Sequence, residues 1–260
     1  MKLSDTPHVL ITGTSGAIGG AVARELRARR PQARLTLLDR DGPRSARLAQ
    51  ELGGEVCVVA HNLADIEALP AIVARAEGEL GPLEGLVSCA GFMEVSRVES
   101  LPWTRAYELL AVDLVAPLRL MQHCAAGMLE RGRGFVVNVT SMAGRVPLKG
   151  CAFYGAAKAG LSIASEITRV ELASRGVAVV TVYPGPVASA LERSARAQYG
   201  GGVLKKAVPT GRPDALATRI LDAVERGRAR VIYPALYGLG WHAQNAAAWL
   251  ALAAGPNPAT

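Results

Sequence analysis

Lysine is scarce in this chain: Lys2, Lys149, Lys158, Lys205 and Lys206 are the only ones, and arginine supplies the rest of the 29 basic residues. The arginines are scattered over segments that read as helices (Arg24, Arg27, Arg29, Arg30; Arg44, Arg47; Arg169, Arg175). A net charge of +7 distributed in this way forms no stripe, which argues for a solvated surface and against a nucleic-acid groove. Such a surface still attracts anionic substrates or membranes. Cysteine is also sparse. Cys57, Cys89, Cys124 and Cys151 form no Cys-x-x-Cys pair and no zinc spacing, so no metal site is expected and they read as buried free thiols in a reducing compartment. Seven residues precede the first predicted strand, too few for a secretory signal, and a cytoplasmic location is expected. Aromatic residues make up 5% and hydrophobic residues 50% of 260, which suits one sizeable core better than two full domains.

Charge is absent from the end of the chain. No charged side chain follows Arg230, and residues 235–254 are mostly apolar, with Trp241 and Trp249. His242, Gln244 and Asn245 interrupt this stretch, so its longest apolar run, 246–254, is too short to span a bilayer. The expectation is a tail helix over 235–260 that covers a substrate cleft or an oligomer interface. A helix lying on a membrane surface is the second reading.

What is present is an alternation of strand and helix patterns. Strands are predicted at His8–Gly13, Arg34–Asp39, Glu55–Leu63, Leu86–Gly91, Phe135–Thr140, Val177–Tyr183 and Arg230–Pro234. Helices are predicted in the run that follows Thr14–Gly20 up to Arg29, from Asp65 to Leu80, Pro102 to Arg131 with Ser100 as cap, Ala152 to Leu172 and Pro213 to Arg226. This pattern predicts an α/β fold: a single-domain, doubly wound parallel sheet of about seven strands with helices on both faces, over residues 1–234. Ligands of such folds gather beyond the carboxyl ends of the strands. Residues 188–211 show no clear period and read as a mobile substrate loop.

The first strand runs into Gly13, Gly16 and Gly19 and then into a helix, an arrangement whose backbone N–H groups and helix dipole favour a pyrophosphate. Asp39 ends the second strand, twenty residues beyond Gly19, where a carboxylate can accept both ribose hydroxyls and would repel a 2′-phosphate. Arg40 beside it could hold that phosphate instead, so NAD is expected ahead of NADP.

Residues 138–158 carry the chemistry. A β-branched strand ends near Ser141, and thirteen residues later Tyr154 and Lys158 stand four apart on a predicted helix, where they share a face. A phenol titrating near ~10 is a poor base at neutral pH. An ammonium about 4 Å away, at an effective dielectric of about 20, is worth at most about 4 kcal/mol toward the phenolate before desolvation is subtracted. With the serine hydroxyl holding a substrate oxygen, the trio suits proton removal from an alcohol while a hydride leaves its carbon.

Over roughly residues 7–234 the chain resembles the classical short-chain dehydrogenases/reductases. The resemblance rests on the run from Thr12-Gly13 to Ile18-Gly19, the Ala90-Gly91 strand end, Ser141, Tyr154-x-x-x-Lys158 and Pro184-Gly185, in order and at family spacing. It implies a Rossmann fold, a nicotinamide cofactor and reversible alcohol–carbonyl chemistry. By the resemblance, Tyr154 is the acid/base, Ser141 orients the substrate oxygen, and Lys158 binds the nicotinamide ribose and lowers the tyrosine pKa. Gly13, Ser15 and Ile18 line the phosphates, Asp39 holds the adenosine ribose, Asn62 and Leu63 frame the adenine, and Val187 and Ser189 meet the carboxamide. A homodimer or homotetramer assembled through the two longest helices is implied as well. There are three departures from the family pattern. Ser88-Cys89-Ala90-Gly91 replaces Asn-Asn-Ala-Gly, Asn62 replaces an aspartate, and the catalytic asparagine of the long helix falls on Asp113. An ionised aspartate can only accept hydrogen bonds, which places the proton relay in question. The expected cleft residues Phe92, Met93, Met142, Phe153, Leu191 and Leu204 are mostly apolar and imply a hydrophobic alcohol or ketone. An NADP-dependent carbonyl or keto-acyl reductase and a non-catalytic scaffold are the competing readings.

Overall fold

A computed structural model describes residues 3–199 and 209–254. Seven strands form one parallel sheet in the order β3-β2-β1-β4-β5-β6-β7. They are β1 (His8–Thr12), β2 (Arg34–Asp39), β3 (Val56–Ala60), β4 (Gly85–Ser88), β5 (Gly134–Val139), β6 (Val177–Pro184) and β7 (Arg230–Tyr233). The chain thus belongs to the doubly wound α/β class, with its topological switch between β1 and β4.

Strand alternation explains the two cores. Val9 and Ile11 of β1, with Phe135, Val137 and Val139 of β5, face α1 (Ala17–Arg29), α2 (Gly42–Leu52) and a late helix over residues 213–225. Leu10 and Val136 face the opposite side, against α3 (Leu69–Leu80) and the helices of the middle of the chain. Side chains of period two therefore feed both layers, as a sheet covered on both faces requires.

The long helix expected over 102–131 is broken. It consists of α4 (Trp103–Leu110), a π-helical turn (Ala111–Val115) and α5 (Ala116–Glu130). Pro117 has no N–H to give the carbonyl of Asp113, and at the break Ala116 N–H bonds Ala111 O, five residues back. Asp113 lies in the middle of this turn. The helix begins after Pro102, with no side-chain cap, so Ser100 does not cap it. Other limits move as well. α3 begins at Leu69, ahead of Pro70, rather than at Asp65, β3 stops at Ala60, and β4 stops at Ser88.

After β5 a single 3-10 turn (Met142–Gly144) leads to α6 (Ala152–Ala173). The segment 188–211, expected to be an irregular loop, contains α7 (Ala190–Ala197), capped by Ser189, whose hydroxyl accepts from Glu192 N–H at 3.0 Å. Leu204 and the glycine-rich residues 200–202 fall outside the described residues. α8 (Pro213–Glu225) precedes β7, and the uncharged tail folds into α9 (Tyr237–His242) and α10 (Gln244–Ala254). All four cysteines are free; Cys57, Cys124 and Cys151 are buried and Cys89 is half-buried.

Candidate active site

One cavity of about 1280 Å³ runs along the carboxyl ends of the strands. At one end it is lined by Gly13 to Gly19, Asp39, Arg40, Asn62 and Leu63, and in the middle by Ala90, Gly91, Ser141, Tyr154 and Lys158. Pro184, Gly185, Val187 and Ser189 form the wall beyond. Every catalytic and cofactor-binding residue named from the sequence except Asp113 lies on this surface, and Asp113 is fully buried beside Gly91 and Lys158.

The glycine turn is shaped by close backbone approach. Gly13 has φ +71°, and a Cβ there would lie 2.7 Å from the Ala90 backbone. At Gly19 a Cβ would lie 2.4 Å from Gly13 O. Thr12 Oγ1 ties the two strand ends together by accepting from Cys89 N–H and Ala90 N–H, each at 3.1 Å. Sequence reasoning used Thr12 only as part of a motif and missed this role. The α1 N-terminus carries no side-chain cap and no acidic residue in its first turn, so its first N–H groups are left open toward the cavity. Such an end fits the diphosphate of a nicotinamide dinucleotide.

Asp39 is held in place before any ligand arrives. Its Oδ2 accepts from Ser15 N–H at 2.8 Å and its Oδ1 from Asp41 N–H at 2.9 Å, which leaves lone pairs for ribose hydroxyls. Of the neighbouring arginines, Arg44 pairs with Asp41 at 3.3 Å and Arg24 with Glu51 at 2.6 Å. Asn62 Oδ1 accepts from Ala64 N–H at 3.1 Å, which orients the amide and leaves its N–H groups to donate to an adenine.

At the middle of the cavity, Ser141 Oγ accepts from Ala143 N–H at 3.1 Å and lies close enough to Tyr154 to act on its phenol. The Lys158 ammonium donates to Val139 O at 3.3 Å and lies 3.6 Å from Asp113 Oδ1 and 5.9 Å from the Tyr154 ring centroid. Asp113 accepts from Phe92 N–H at 3.1 and 3.3 Å. A Cβ at Gly91 would meet Asp113 Oδ1 at 2.2 Å, so glycine at 91 is what lets the carboxylate reach this position.

The electrostatics run against one expectation. Burial pushes the Tyr154 phenol above its ordinary value, the Asp113 charge adds to the rise, and the Ser141 hydrogen bond opposes it. Lys158 was expected to lower this pKa, but its charge is engaged by Asp113 and a backbone carbonyl. Asp113 itself is pushed up to about 6 by burial, with Lys158 and the Phe92 N–H opposing. Burial also raises the Cys89 thiol, to about 12, so it is no thiolate nucleophile at neutral pH.

Of the expected cleft residues, Phe92, Met93, Met142 and Leu191 line the cavity. Phe153 does not; it packs against Trp103 with ring centroids 6.2 Å apart. The sequence did not pick out the roof residues Leu236, Tyr237, Ala247 and Ala251, which the tail supplies. Trp241 anchors that tail: its ring lies 4.5 Å from the Tyr183 ring and 4.0 Å from the Arg145 guanidinium. Gln244 Nε2 also donates to Arg145 O at 2.9 Å.

A glycine turn at the switch point, a strand-end carboxylate and a Ser–Tyr–Lys group in one cavity define a dinucleotide-dependent oxidoreductase. Comparison with known proteins agrees. A family model for short chain dehydrogenases matches residues 7–200. A D-threitol dehydrogenase of Mycolicibacterium smegmatis is 32% identical over 219 residues, 82% of this chain and 84% of that one. An inactive 2-(S)-hydroxypropyl-CoM dehydrogenase of Xanthobacter autotrophicus is 37% identical over 163 residues, 62% of this chain and 70% of that one. A metagenomic short-chain oxidoreductase crystallised with NADP superposes with a TM-score of 0.74 at 26% identity, covering 88% of this chain and 97% of that one. The chain belongs to the short-chain dehydrogenase/reductase family, whose members bind NAD(P) and act on alcohol or ketone groups of small molecules.

Proposed function

We propose that the protein moves a hydride between NAD and a hydrophobic alcohol or ketone, with Tyr154 as the proton donor and acceptor. The observation that carries this reading is the convergence of Ser141, Tyr154 and Lys158 on the same cavity as the uncapped α1 N-terminus. When bound, the nicotinamide supplies the hydride acceptor or donor. Ser141 holds the substrate oxygen beside the Tyr154 hydroxyl, and Tyr154 takes the alcohol proton or returns it to the carbonyl. Lys158, 4% exposed, stands ready to bind the nicotinamide ribose.

Asp39 supports NAD over NADP, because a carboxylate already oriented by two backbone N–H groups would repel a 2′-phosphate. The apolar residues Phe92, Met93, Leu191, Leu236 and Tyr237 support a hydrophobic substrate beneath a roof made of α7 and the tail. Assembly as a homodimer or homotetramer is supported by exposed apolar side chains on the middle helices: Ile163, Ile167 and Val170 on α6, and Trp103 and Tyr107 on α4. A non-catalytic reading draws on Asp113 and on the inactive relative. The complete Ser141–Tyr154–Lys158 set weighs against it.

The test is a titration with NADH and, separately, NADPH, following nicotinamide fluorescence. Tighter NADH binding that is lost in Asp39→Ala supports the reading. Tighter NADPH binding refutes the assignment of Asp39 and favours an NADP-dependent carbonyl reductase.

A further inference from the structure

The buried ion pair beneath the cavity is the feature that the general mechanism does not use. Lys158 and Asp113 are 4% and 0% exposed, 3.6 Å apart. The carboxylate cannot leave this position easily. It sits in a π-helical turn, is held by the Phe92 N–H, and is backed by Gly91, where even a methyl group would collide with it. An amide at this position would hold the same N–H without adding a charge.

We infer that Asp113 is a positioning residue: by pairing with Lys158 inside the protein it withholds the ammonium from Tyr154 and sets a negative charge beside the phenol, so that the site favours a protonated tyrosine and the reductive direction. The inference rests on the oxidoreductase reading above and adds a direction to it. A protonated Tyr154 gives its proton to a carbonyl oxygen as the hydride from the reduced nicotinamide reaches the carbonyl carbon, leaving an alcohol, an oxidised cofactor and a phenolate that solvent reprotonates. Alcohol oxidation needs the phenolate first, and therefore a more alkaline medium.

The groups that face the pair are few. Lys158 and Tyr154 come from α6, Cys151 precedes that helix, and Cys89 comes from the end of β4. Both thiols are raised by burial and stay neutral near pH 7, so Asp113 is the anion that acts on Tyr154. Above about pH 6 the Asp113 carboxylate carries its charge.

The experiment compares the wild type with Asp113→Asn in two readouts. The first is the pH profile of kcat/KM in both directions with a hydrophobic ketone–alcohol pair. The second is the ultraviolet difference titration of the Tyr154 phenol in the cofactor-free protein, with Tyr154→Phe as the blank. Removing one neighbouring negative charge from a protein interior moves a phenol down by on the order of one pH unit. The expected result is that the falling limb of the reduction profile, the rising limb of the oxidation profile and the phenol titration all move down by about that amount. An unmoved or upward-shifted phenol titration overturns the inference, whether or not turnover is found. Turnover absent from both proteins together with a downward phenol shift keeps the ion-pair inference and rejects the oxidoreductase reading. If Asp113→Asn does not fold, Asp113→Ser carries the same prediction, because it also removes the charge while taking less space.

Discussion

Replacing Gly91 by alanine probes the ion pair from the opposite side. The added Cβ would stand 2.2 Å from Asp113 Oδ1, 3.2 Å from its Cγ and 3.2 Å from Lys158 Nζ. Gly91 does not have a positive φ, so the backbone would accept the new residue and the whole effect comes from the collision. An oxygen that must retreat by about an ångström has nowhere wet to go, because Asp113 is fully buried. It must give up the Phe92 N–H or the Lys158 ammonium. Overpacking alone costs about 1–3 kcal/mol, and breaking a buried pair about 3–5 kcal/mol. Partial relaxation places the expected loss at about 2–4 kcal/mol, which for a chain of this size lowers Tm by about 5 to 15 °C. Thermal melts followed by circular dichroism measure it. The same substitution in an Asp113→Ala background should cost at least about 1 kcal/mol less, since the colliding atom is gone. A Gly91→Ala protein that melts within a degree of the wild type, or that loses as much stability without Asp113 as with it, would refute the packing argument.

Two further outcomes follow from other parts of the fold. His8 is fully buried; its Nδ1–H donates to Gly81 O at 2.6 Å, and its Nε2 accepts from Thr36 Oγ1 at 2.9 Å. Burial lowers its pKa below 6.5, so this group's contribution to stability is complete above that pH and is lost as the pH falls below it. The Tm difference between pH 7 and pH 5 should therefore be smaller in His8→Gln than in the wild type, and an equal difference would reject this assignment. On α6, Ile163, Ile167 and Val170 form an exposed apolar stripe, so Ile167→Arg should shift the protein toward the monomer in light scattering at micromolar concentration, whereas a monomeric wild type would rule out an assembly through this face.

The strands and the site were legible because both write themselves into short, local patterns. β2 runs from Arg34 to Asp39 as its β-branched and leucine pattern predicts, and the glycines at 13, 16 and 19 lie where a strand must turn into a helix. The helix break at 111–115 was signalled by Pro117, but a continuous apolar pattern on both sides masked it. α7 was hidden because eight residues with one buried side chain show too little period, although Ser189 and Glu192 form a capping pair. Residues 42–52 also form a helix, begun by the Asp41 cap and Pro43, with only Ser45 and Leu48 buried. Long-range placement was legible only in outline: the tail was expected over a substrate cleft or an interface, and residues 236, 237, 247 and 251 do line the cavity, but the individual contacts were not readable. Nothing in the local sequence says that Tyr237 closes over Gly185, where a Cβ would lie 2.7 Å from the tyrosine ring, or that Phe153 turns away from the cavity toward Trp103. The direction of the Tyr154 shift was missed for a related reason. It depends on where Lys158 finds its counter-ion, and that is a property of packed elements rather than of a motif.

The most direct test of the account is Tyr154→Phe, measured for both NADH binding and turnover. The substitution removes one hydroxyl and leaves Lys158, Asp39 and the glycine turn in place. The account predicts that NADH binds within a few-fold of the wild type while turnover of any ketone or alcohol substrate falls by at least about a hundredfold, the scale of a lost general acid–base. Turnover that survives the substitution would contradict the role of Tyr154 as the group that moves the proton.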